Sequence, residues 1–282
     1  MTGSGGGRAI GDEWPAEIDT SVAHPARVYD YYLGGVTNFE VDRVAAEHAA
    51  AVHPGGLETV RAGVRSNRAF LVRAVQWLAG EAGVRQFLDI GSGIPSSDDV
   101  HATAQRTAPD CRIVYVDNDP IVLAHAHELS STPEGAVESI QGDLRDPDSI
   151  LERASATLDL RRPVAVMLVG ILHFFPPADD PYGIVRRLLA AVPSGSYLVV
   201  GHLASDIHAE EMAEVARRFT EMTNERWVLR SNAEVARFFD GLHLVEPGVV
   251  QIDQWRPLDG PEPVLPPEGR VNPLHVGVAR KP

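Results

Sequence analysis

The chain has 282 residues, of which 25 are basic and 39 acidic, so its formal net charge is −14. This excess of negative charge would repel the phosphates of nucleic acid and an anionic membrane surface, and we expect neither as a partner. The only lysine is Lys281. A phosphate-binding loop lysine and a Schiff-base lysine are therefore excluded from the folded body.

The cysteine content and the amino-terminal sequence indicate the cellular compartment of the protein. Cys111 is the only cysteine, which excludes an internal disulfide bond and a cysteine-rich zinc site. Residues 1–22 are of low complexity and lack both a hydrophobic period and a signal-peptide core, which predicts a disordered tail. The longest apolar run, Val164 to Leu172, is far shorter than the roughly 20 residues that span a bilayer. We therefore expect a cytoplasmic protein.

The first folded segment, residues 23–80, is predicted to form three helices. Pro25 suits the first turn of a helix, and Gly34 can end it in left-handed backbone. Thr37 and Glu40 have the spacing of a capping box before the second helix. The three helices are predicted at residues 25–32, 42–52 and 57–79.

After Gly83 the pattern changes to short apolar runs that alternate with helical segments, which is typical of a parallel sheet with crossover helices. Five such strands are predicted: Gln86–Ile90, Arg112–Val116, Val137–Gln141, Val164–Val169 and Tyr197–Gly201. Two more, Leu242–Val245 and Leu274–Ala279, follow a helix that Ser231 caps. The proline-rich stretch from Pro257 to Pro273 predicts a surface loop between these last two strands.

The strongest local motif lies where the first strand turns into its helix. It consists of Asp89, Gly91, Ser92 and Gly93. Glycine at these positions lets the backbone approach a ligand closely, so that backbone N–H groups can meet polar ligand atoms. A plain strand-to-helix turn explains the same spacing, and the motif alone does not decide between the two.

Carboxylates follow the next two strands. Asp117 stands where an acidic side chain can accept hydrogen bonds from both hydroxyls of a ribose, and Asp143 follows the third strand. Since ligands bind at the carboxyl ends of parallel strands, both carboxylates and their neighbours Asn118 and Leu144 are predicted to line one nucleotide site. The alternative for Asp143, and more strongly for Asp119, is the capping of a helix.

The glycine motif after the first strand lacks one residue of the dinucleotide-binding fingerprint, and this indicates which type of nucleotide binds. A dinucleotide fingerprint needs glycine or alanine at position 96, where this chain has Ser96, so a diphosphate is disfavoured. S-adenosylmethionine has no phosphate but has a ribose, an adenine, a sulfonium and an amino acid end. It therefore suits an acidic, glycine-rich pocket.

Several segments carry a resemblance to known proteins: Pro25–Gly35, Asn38–Phe39, Arg65–Phe70, Phe87–Gly93, Val114–Pro120, Leu172–Phe174 and Ala233–Gly241. In these segments the chain resembles the class I S-adenosylmethionine methyltransferases, and more closely an actinobacterial methyltransferase-like family of unassigned substrate. The resemblance covers nearly everything after residue 22. It implies a Rossmann-like α/β fold with a seven-stranded, mostly parallel sheet, helices on both faces and an antiparallel final strand. It also implies one methyltransferase domain, with a helical cap at 23–80 over the mouth of a cofactor-binding core at 81–282.

Gly170 and His173 follow the fourth strand, where this superfamily positions its acceptor; Gly170 is assigned to cofactor binding and His173 to catalysis. His173 could deprotonate a hydroxyl or amine acceptor because the ordinary pKa of histidine lies near neutrality. The alternative is a histidine that only packs beside the pocket. His202, just after the fifth strand, is a weaker candidate for the same role.

The helical segment supplies further candidates for cofactor binding. Tyr29 could cover the sulfonium by a cation–π contact, whereas Tyr31 and Tyr32 fit a packing role equally well. Arg68, with Arg65 as a second candidate, could pair with the cofactor carboxylate or with Glu58 and Asp89 instead. Asn38, within the resemblance, is also assigned to the cofactor.

Three functions remain compatible with the sequence. The first is an active methyltransferase, for which the absence of an Asn/Asp-Pro-Pro-Tyr motif after the fourth strand favours a small-molecule acceptor over amides and nucleobases. The second is a non-catalytic module that binds the cofactor or a nucleoside. The third, a nicotinamide-dependent oxidoreductase, is disfavoured by Ser96.

Overall fold

The computed structural model describes residues 19–53, 55–95, 99–125, 134–223, 225–257 and 271–282. Most of the predicted tail, most of the predicted loop from Pro257 to Pro273, and Ser96 lie outside the described residues. Among the described residues, no helix is both long enough and apolar enough to cross a membrane.

The three amino-terminal helices are α1 (Pro25–Leu33), α2 (Glu40–Ala50) and α3 (Leu57–Gly80). Gly34 ends α1 in left-handed backbone with φ 82°, as predicted. The predicted capping box of Thr37 and Glu40 is wrong, because α2 already begins at Glu40. Instead Asp42 accepts hydrogen bonds from the backbone N–H groups of Phe39 (2.8 Å) and His24 (2.9 Å), which ties the start of α1 to α2.

Within the described residues the sheet has eight strands: β1 (Gln86–Ile90), β2 (Arg112–Asp117), β3 (Ala136–Gln141), β4 (Ala165–Val169), β5 (Tyr197–Leu203), β6 (His243–Leu244), β7 (Val250–Gln251) and β8 (Leu274–Arg280). Their order is β3-β2-β1-β4-β5-β8-β6, and β7 also pairs with β8. Strands β1 to β5 are parallel and β8 is antiparallel to β5, as the resemblance implies.

The predicted number of seven strands is one too low. The additional strand β7 has only two residues, which is too short to show an alternating pattern in the sequence. The predicted strand at Leu242–Val245 is likewise reduced to the two exposed residues of β6. Most ends of strands β1 to β5 lie within about one residue of their predicted positions.

Helices cover both faces of the sheet. They are α4 (Val100–Thr107), α5 (Pro120–His125), α6 (Pro147–Ala154), α7 (Pro181–Ala190), α8 (Ala209–Thr223) and α9 (Asn232–Ala236). Because side chains alternate along a strand, Leu88 packs in the core under α6 and α7, whereas Phe87 packs under α3 and α4. A third apolar cluster joins α1, α2 and α8. These three helices therefore meet beside the carboxyl ends of the strands.

Candidate active site

A cavity of about 270 Å³ opens at the carboxyl ends of the central strands. It is lined by His173 and by every predicted cofactor residue except Asn38, namely Tyr29, Arg68, Asp89, Gly91, Ser92, Gly93, Asp117, Asn118, Asp143, Leu144 and Gly170. Residues of α1, α3 and α8 enclose its other side. Sheet topology explains the convergence, because parallel strands end at the same edge.

The glycine turn after β1 needs its glycines for two different reasons. Gly91 has φ 76°, and a Cβ atom there would lie 2.8 Å from the side chain of Ile171. Gly93 has φ 67° with no atom within 4 Å of such a Cβ. The turn is held to β2, since Gly91 N–H donates to the carbonyl of Val116 at 2.8 Å. Close packing therefore requires Gly91, and backbone conformation alone requires Gly93.

This difference gives a matched pair of substitutions. We expect Gly93→Ala to lower the free energy of unfolding by about 1–2 kcal/mol, the usual cost of left-handed backbone. Gly91→Ala should cost about 2–4 kcal/mol, because the clash with Ile171 adds to that cost. Chemical denaturation of both ligand-free variants measures the difference. Equal losses would show that Ile171 adjusts without cost.

Asp117 organises two turns at once. It is 8% exposed, and its carboxylate accepts hydrogen bonds from Gly93 N–H (2.9 Å) and Asp119 N–H (3.0 Å). Burial raises the pKa of Asp117 above its ordinary value. Each carboxylate oxygen can accept a further hydrogen bond, so the cavity side of the group remains chemically able to bind hydroxyls. The sequence did not indicate this structural role.

Helix capping explains Asp119 but not Asp143. Asp119 accepts from Ile121 N–H at 3.0 Å at the start of α5, which confirms the alternative, and its other oxygen lies 2.8 Å from Nδ1 of His24. The capping alternative is wrong for Asp143, because Asp146 caps α6 by accepting from the N–H of Ser149. Asp143 is exposed and faces the cavity, beside exposed Asn118 and buried Leu144.

The ion pair that Arg68 forms differs from the two protein pairings predicted for it. Arg68 forms an ion pair with Asp99, rather than with Glu58 or Asp89. Burial raises the pKa of Asp89 to about 7. Arg65 is exposed on α3 and does not line the cavity.

The tyrosines of α1 have three different environments. The Tyr29 hydroxyl accepts a hydrogen bond from Asn67 Nδ2 at 3.0 Å, and both residues line the cavity. The Tyr32 hydroxyl donates a hydrogen bond to a backbone carbonyl of α2, and the Tyr31 hydroxyl donates one to a glutamate side chain that is also on α2. Tyr29 therefore faces the cavity with a fixed orientation, in the position predicted for it.

The prediction for Asn38 is corrected by its position. Asn38 Nδ2 donates to the carboxylate of Asp30 (2.8 Å) and to the carbonyl of Gly35 (3.0 Å), while its oxygen accepts from Arg43. All these bonds are local, and the side chain stabilises the loop between α1 and α2. Asn38 does not line the cavity.

His173 lies in a short 3₁₀ turn directly after β4 and is 6% exposed. Its Nδ1 atom is buried and has no hydrogen-bond partner within the described part of the chain. Burial, with smaller effects of His202 and Arg230, lowers the pKa of His173 well below its ordinary value. The imidazole is therefore neutral near pH 7 and carries one nitrogen able to accept a proton.

His202 is excluded from the role of a base. Its Nδ1 donates to the carbonyl of Leu203 (2.8 Å) and its Nε2 accepts from Arg230 (2.8 Å), so both nitrogens are engaged. The side chain is fully buried and does not line the cavity. Burial also lowers the pKa of His202 to about 3.

The model of a family described as S-adenosyl methyltransferase matches residues 12–282. The chain belongs to this S-adenosyl methyltransferase family. Its cofactor is S-adenosylmethionine, and the resemblance stated from the sequence is confirmed.

Two solved actinobacterial structures have the same fold as this family member. A DUF574 family protein from Streptomyces avermitilis is 44% identical, with a TM-score of 0.85 over 94% of this chain and 99% of that one. A protein from Thermobifida fusca, described as a candidate methyltransferase, is 40% identical, with a TM-score of 0.84 over 96% and 99%. No curated protein matches the chain.

An arginine that the sequence did not indicate holds the turn that carries His173 in this methyltransferase family member. Arg230 is buried and donates to the carbonyls of Leu172 (2.9 Å) and Phe175 (2.8 Å), as well as to His202. Arg230 and Leu172 are 58 residues apart. No local pattern could have signalled this clamp.

We expect substitution of Arg230 to lower the stability of the fold. Arg230→Met keeps much of the side-chain volume but leaves the acceptors on Leu172, Phe175 and His202 unpaired. We expect the free energy of unfolding to fall by about 2–4 kcal/mol, since each unpaired buried group costs about 1–3 kcal/mol and removal of a buried charge offsets part of that. Arg237→Met is the control, because Arg237 is exposed and stacks on Tyr182 at the surface. Denaturation curves that coincide for the two variants would contradict the clamp.

Aromatic side chains enclose the cavity beyond His173. Phe174, Phe219 and Trp227, which we call the aromatic wall, all line it. The rings of Phe219 and Trp227 are stacked at 4.0 Å, and the His173 ring lies 5.3 Å from that of Trp227. These residues come from three separate parts of the chain, so the sequence did not reveal them as a group.

Proposed function

We propose that this chain transfers a methyl group from S-adenosylmethionine to a small-molecule acceptor. The observation that carries the proposal is the convergence of three strand ends on one cavity. The glycine turn after β1, Asp117 at the end of β2 and Asp143 after β3 line it together with His173 after β4. A protein that shared only the fold of this family would not need these side chains and glycines at the strand ends.

The residues present fit the family's cofactor. The positive-φ turn at Gly91 and Gly93 keeps backbone close to the cavity without side chains, and Asp117 can accept hydroxyl groups. We infer that these residues, with Asp143, hold the nucleoside, and that Tyr29 and Arg68 lie near the methionine end. When bound, the cofactor supplies an electrophilic methyl group.

The chain's own contribution is to orient the reactants and to manage a proton. Two reactants held in a fixed arrangement gain a large rate advantage over the same reactants in solution. The neutral imidazole of His173 can take a proton from a hydroxyl or amine acceptor. Helices α1 and α3, within the segment 23–80 that we treat as a cap, line the cavity from the side opposite the sheet and restrict the access of water.

The size of the cavity supports a small-molecule acceptor. Its volume of about 270 Å³ lies just below the roughly 300–1,000 Å³ that ligand pockets occupy, which leaves no room for a large acceptor. The net charge of −14 disfavours a nucleic acid substrate.

Calorimetric titration with S-adenosylmethionine, S-adenosylhomocysteine and NAD tests the cofactor. We expect heat from the first two and none from NAD. Transfer of a labelled methyl group from S-adenosylmethionine across a panel of small hydroxyl and amine compounds then tests catalysis. Binding of NAD alone would overturn the proposal, whereas cofactor binding without transfer to any compound would favour the non-catalytic module.

A further inference from the structure

The end of the cavity beyond His173 differs in chemistry from the cofactor end. The strand ends contribute carboxylates and glycine backbone, while the aromatic wall contributes Phe174, Phe219 and Trp227. Flat aromatic surfaces favour planar ligands, because rings gain stacking contacts in addition to the burial of apolar area. This end of the cavity therefore suits a planar ring system.

The charged groups disfavour an anionic acceptor. Among the described residues, the arginines that line the cavity are Arg68 and Arg145, and both are paired with carboxylates. Glu211, which also lines the cavity, is 2.6 Å from His53 Nδ1. An acceptor carboxylate or phosphate would have to compete with these carboxylates, and with the cofactor carboxylate near Arg68, for a cationic partner, which is unfavourable.

Two nitrogens at this end have no hydrogen-bond partner among the residues that the structure describes. They are Nε1 of Trp227 and Nδ1 of His173, and both are buried. An indole N–H can only donate a hydrogen bond, whereas a neutral imidazole can accept one. A ligand hydroxyl can accept from Trp227 and donate to His173 at once. With the proton of His173 on Nε2, an ammonium group cannot accept from Trp227 and a carboxylate cannot donate to His173, so neither satisfies both nitrogens.

We propose that this end of the cavity binds a planar aromatic compound with a hydroxyl group, which stacks on the aromatic wall and places its oxygen between Trp227 and His173. The inference rests on the proposed function, since it names the acceptor class of the same site. Neighbouring atoms shield both nitrogens in the ligand-free protein, so binding requires a small rotation of the two rings.

Three related probes test the hydroxyl: 7-hydroxyquinoline, quinoline and quinoline-7-carboxylate. Their affinities are measured by calorimetry and fluorescence on the full chain, with and without saturating S-adenosylhomocysteine. We expect 7-hydroxyquinoline to bind about tenfold more tightly than quinoline, the effect of one to two added hydrogen bonds, and the carboxylate to bind most weakly. Equal binding of the first two, no binding of any probe, or tightest binding of the carboxylate would overturn the inference.

Two tryptophan variants locate the hydroxyl. Trp227→Phe keeps an aromatic ring but removes the N–H, so it should abolish the tenfold preference for 7-hydroxyquinoline, while the loss of stacking area weakens both probes equally. Trp255→Phe is the matched control, because Nε1 of Trp255 is also unpaired but the ring packs against Phe70 in the core, outside the cavity lining. A preference that survives in Trp227→Phe, or that is lost equally in Trp255→Phe, would contradict the assignment.

The outcome separates this inference from the proposed function. S-adenosylhomocysteine affinity reports the cofactor site, and it should be the same in wild type and in Trp227→Phe. Its absence in the wild type would overturn the proposed function. Its presence without a hydroxyl preference would overturn only the acceptor class. If Trp227→Phe does not fold, the ratio of the probe affinities in the wild type still decides.

Discussion

Asp117→Ala should weaken the binding of S-adenosylmethionine by about tenfold or more. A carboxylate that receives ribose hydroxyls makes charge-assisted hydrogen bonds, each contributing roughly 1.5–3 kcal/mol, and about 1.4 kcal/mol corresponds to a factor of ten. The same substitution should also destabilise the ligand-free protein by about 2–4 kcal/mol, because it removes the acceptor of the buried N–H groups of Gly93 and Asp119. Calorimetry and denaturation measure the two effects.

Asp119→Ala is the control that separates binding from folding. Asp119 is buried and caps α5, but it does not line the cavity. Its removal should lower stability by about 1 kcal/mol or somewhat more, with a much smaller loss of cofactor affinity than in Asp117→Ala. If Asp117→Ala melts early but binds the cofactor like the wild type, Asp117 serves only to hold the two turns.

His173→Gln should lower turnover by about 10²–10⁴-fold, the usual contribution of a general base, once an acceptor is identified. Glutamine keeps a polar side chain of similar reach but cannot take the proton. Cofactor affinity should stay within about twofold, since the residues inferred to hold the nucleoside lie at the ends of β1, β2 and β3. The measurement is a comparison of kcat at saturating cofactor with the dissociation constant from calorimetry. Turnover equal to that of the wild type would leave His173 as a packing residue.

The pH profile provides a second test of His173. An ordinary histidine becomes protonated as the pH falls through about 6.5 and then cannot act as a base. Because burial lowers the pKa of His173, its neutral form persists below that pH. We therefore expect no loss of turnover from this group between pH 8 and pH 6. A titration centred near pH 6.5 in the kcat profile, absent from His173→Gln, would contradict the burial of His173 during catalysis.

The positions of the main elements could be predicted because they depend on local patterns. Strands β1 to β5 are short apolar runs, and α3 has a helical spacing of apolar residues. Strands β6 and β7, which pair with β8, have only two residues each. A strand of that length shows no alternating pattern, so its bounds could not be predicted from the sequence. The start of α2 was also misjudged, because its capping carboxylate is Asp42 rather than a residue at the expected spacing.

The convergence of the strand ends on one cavity was predictable, and the aromatic end of that cavity was not. In a parallel sheet the residues that follow each strand meet at one edge, so Gly91, Asp117 and Asp143 could be grouped from the sequence by itself. The ion pair of Arg68 with Asp99, the clamp of Arg230 on the His173 turn and the aromatic wall depend on contacts between distant segments. Only the tertiary structure decided them, because packing between elements, and not any local period, determines which side chains meet there.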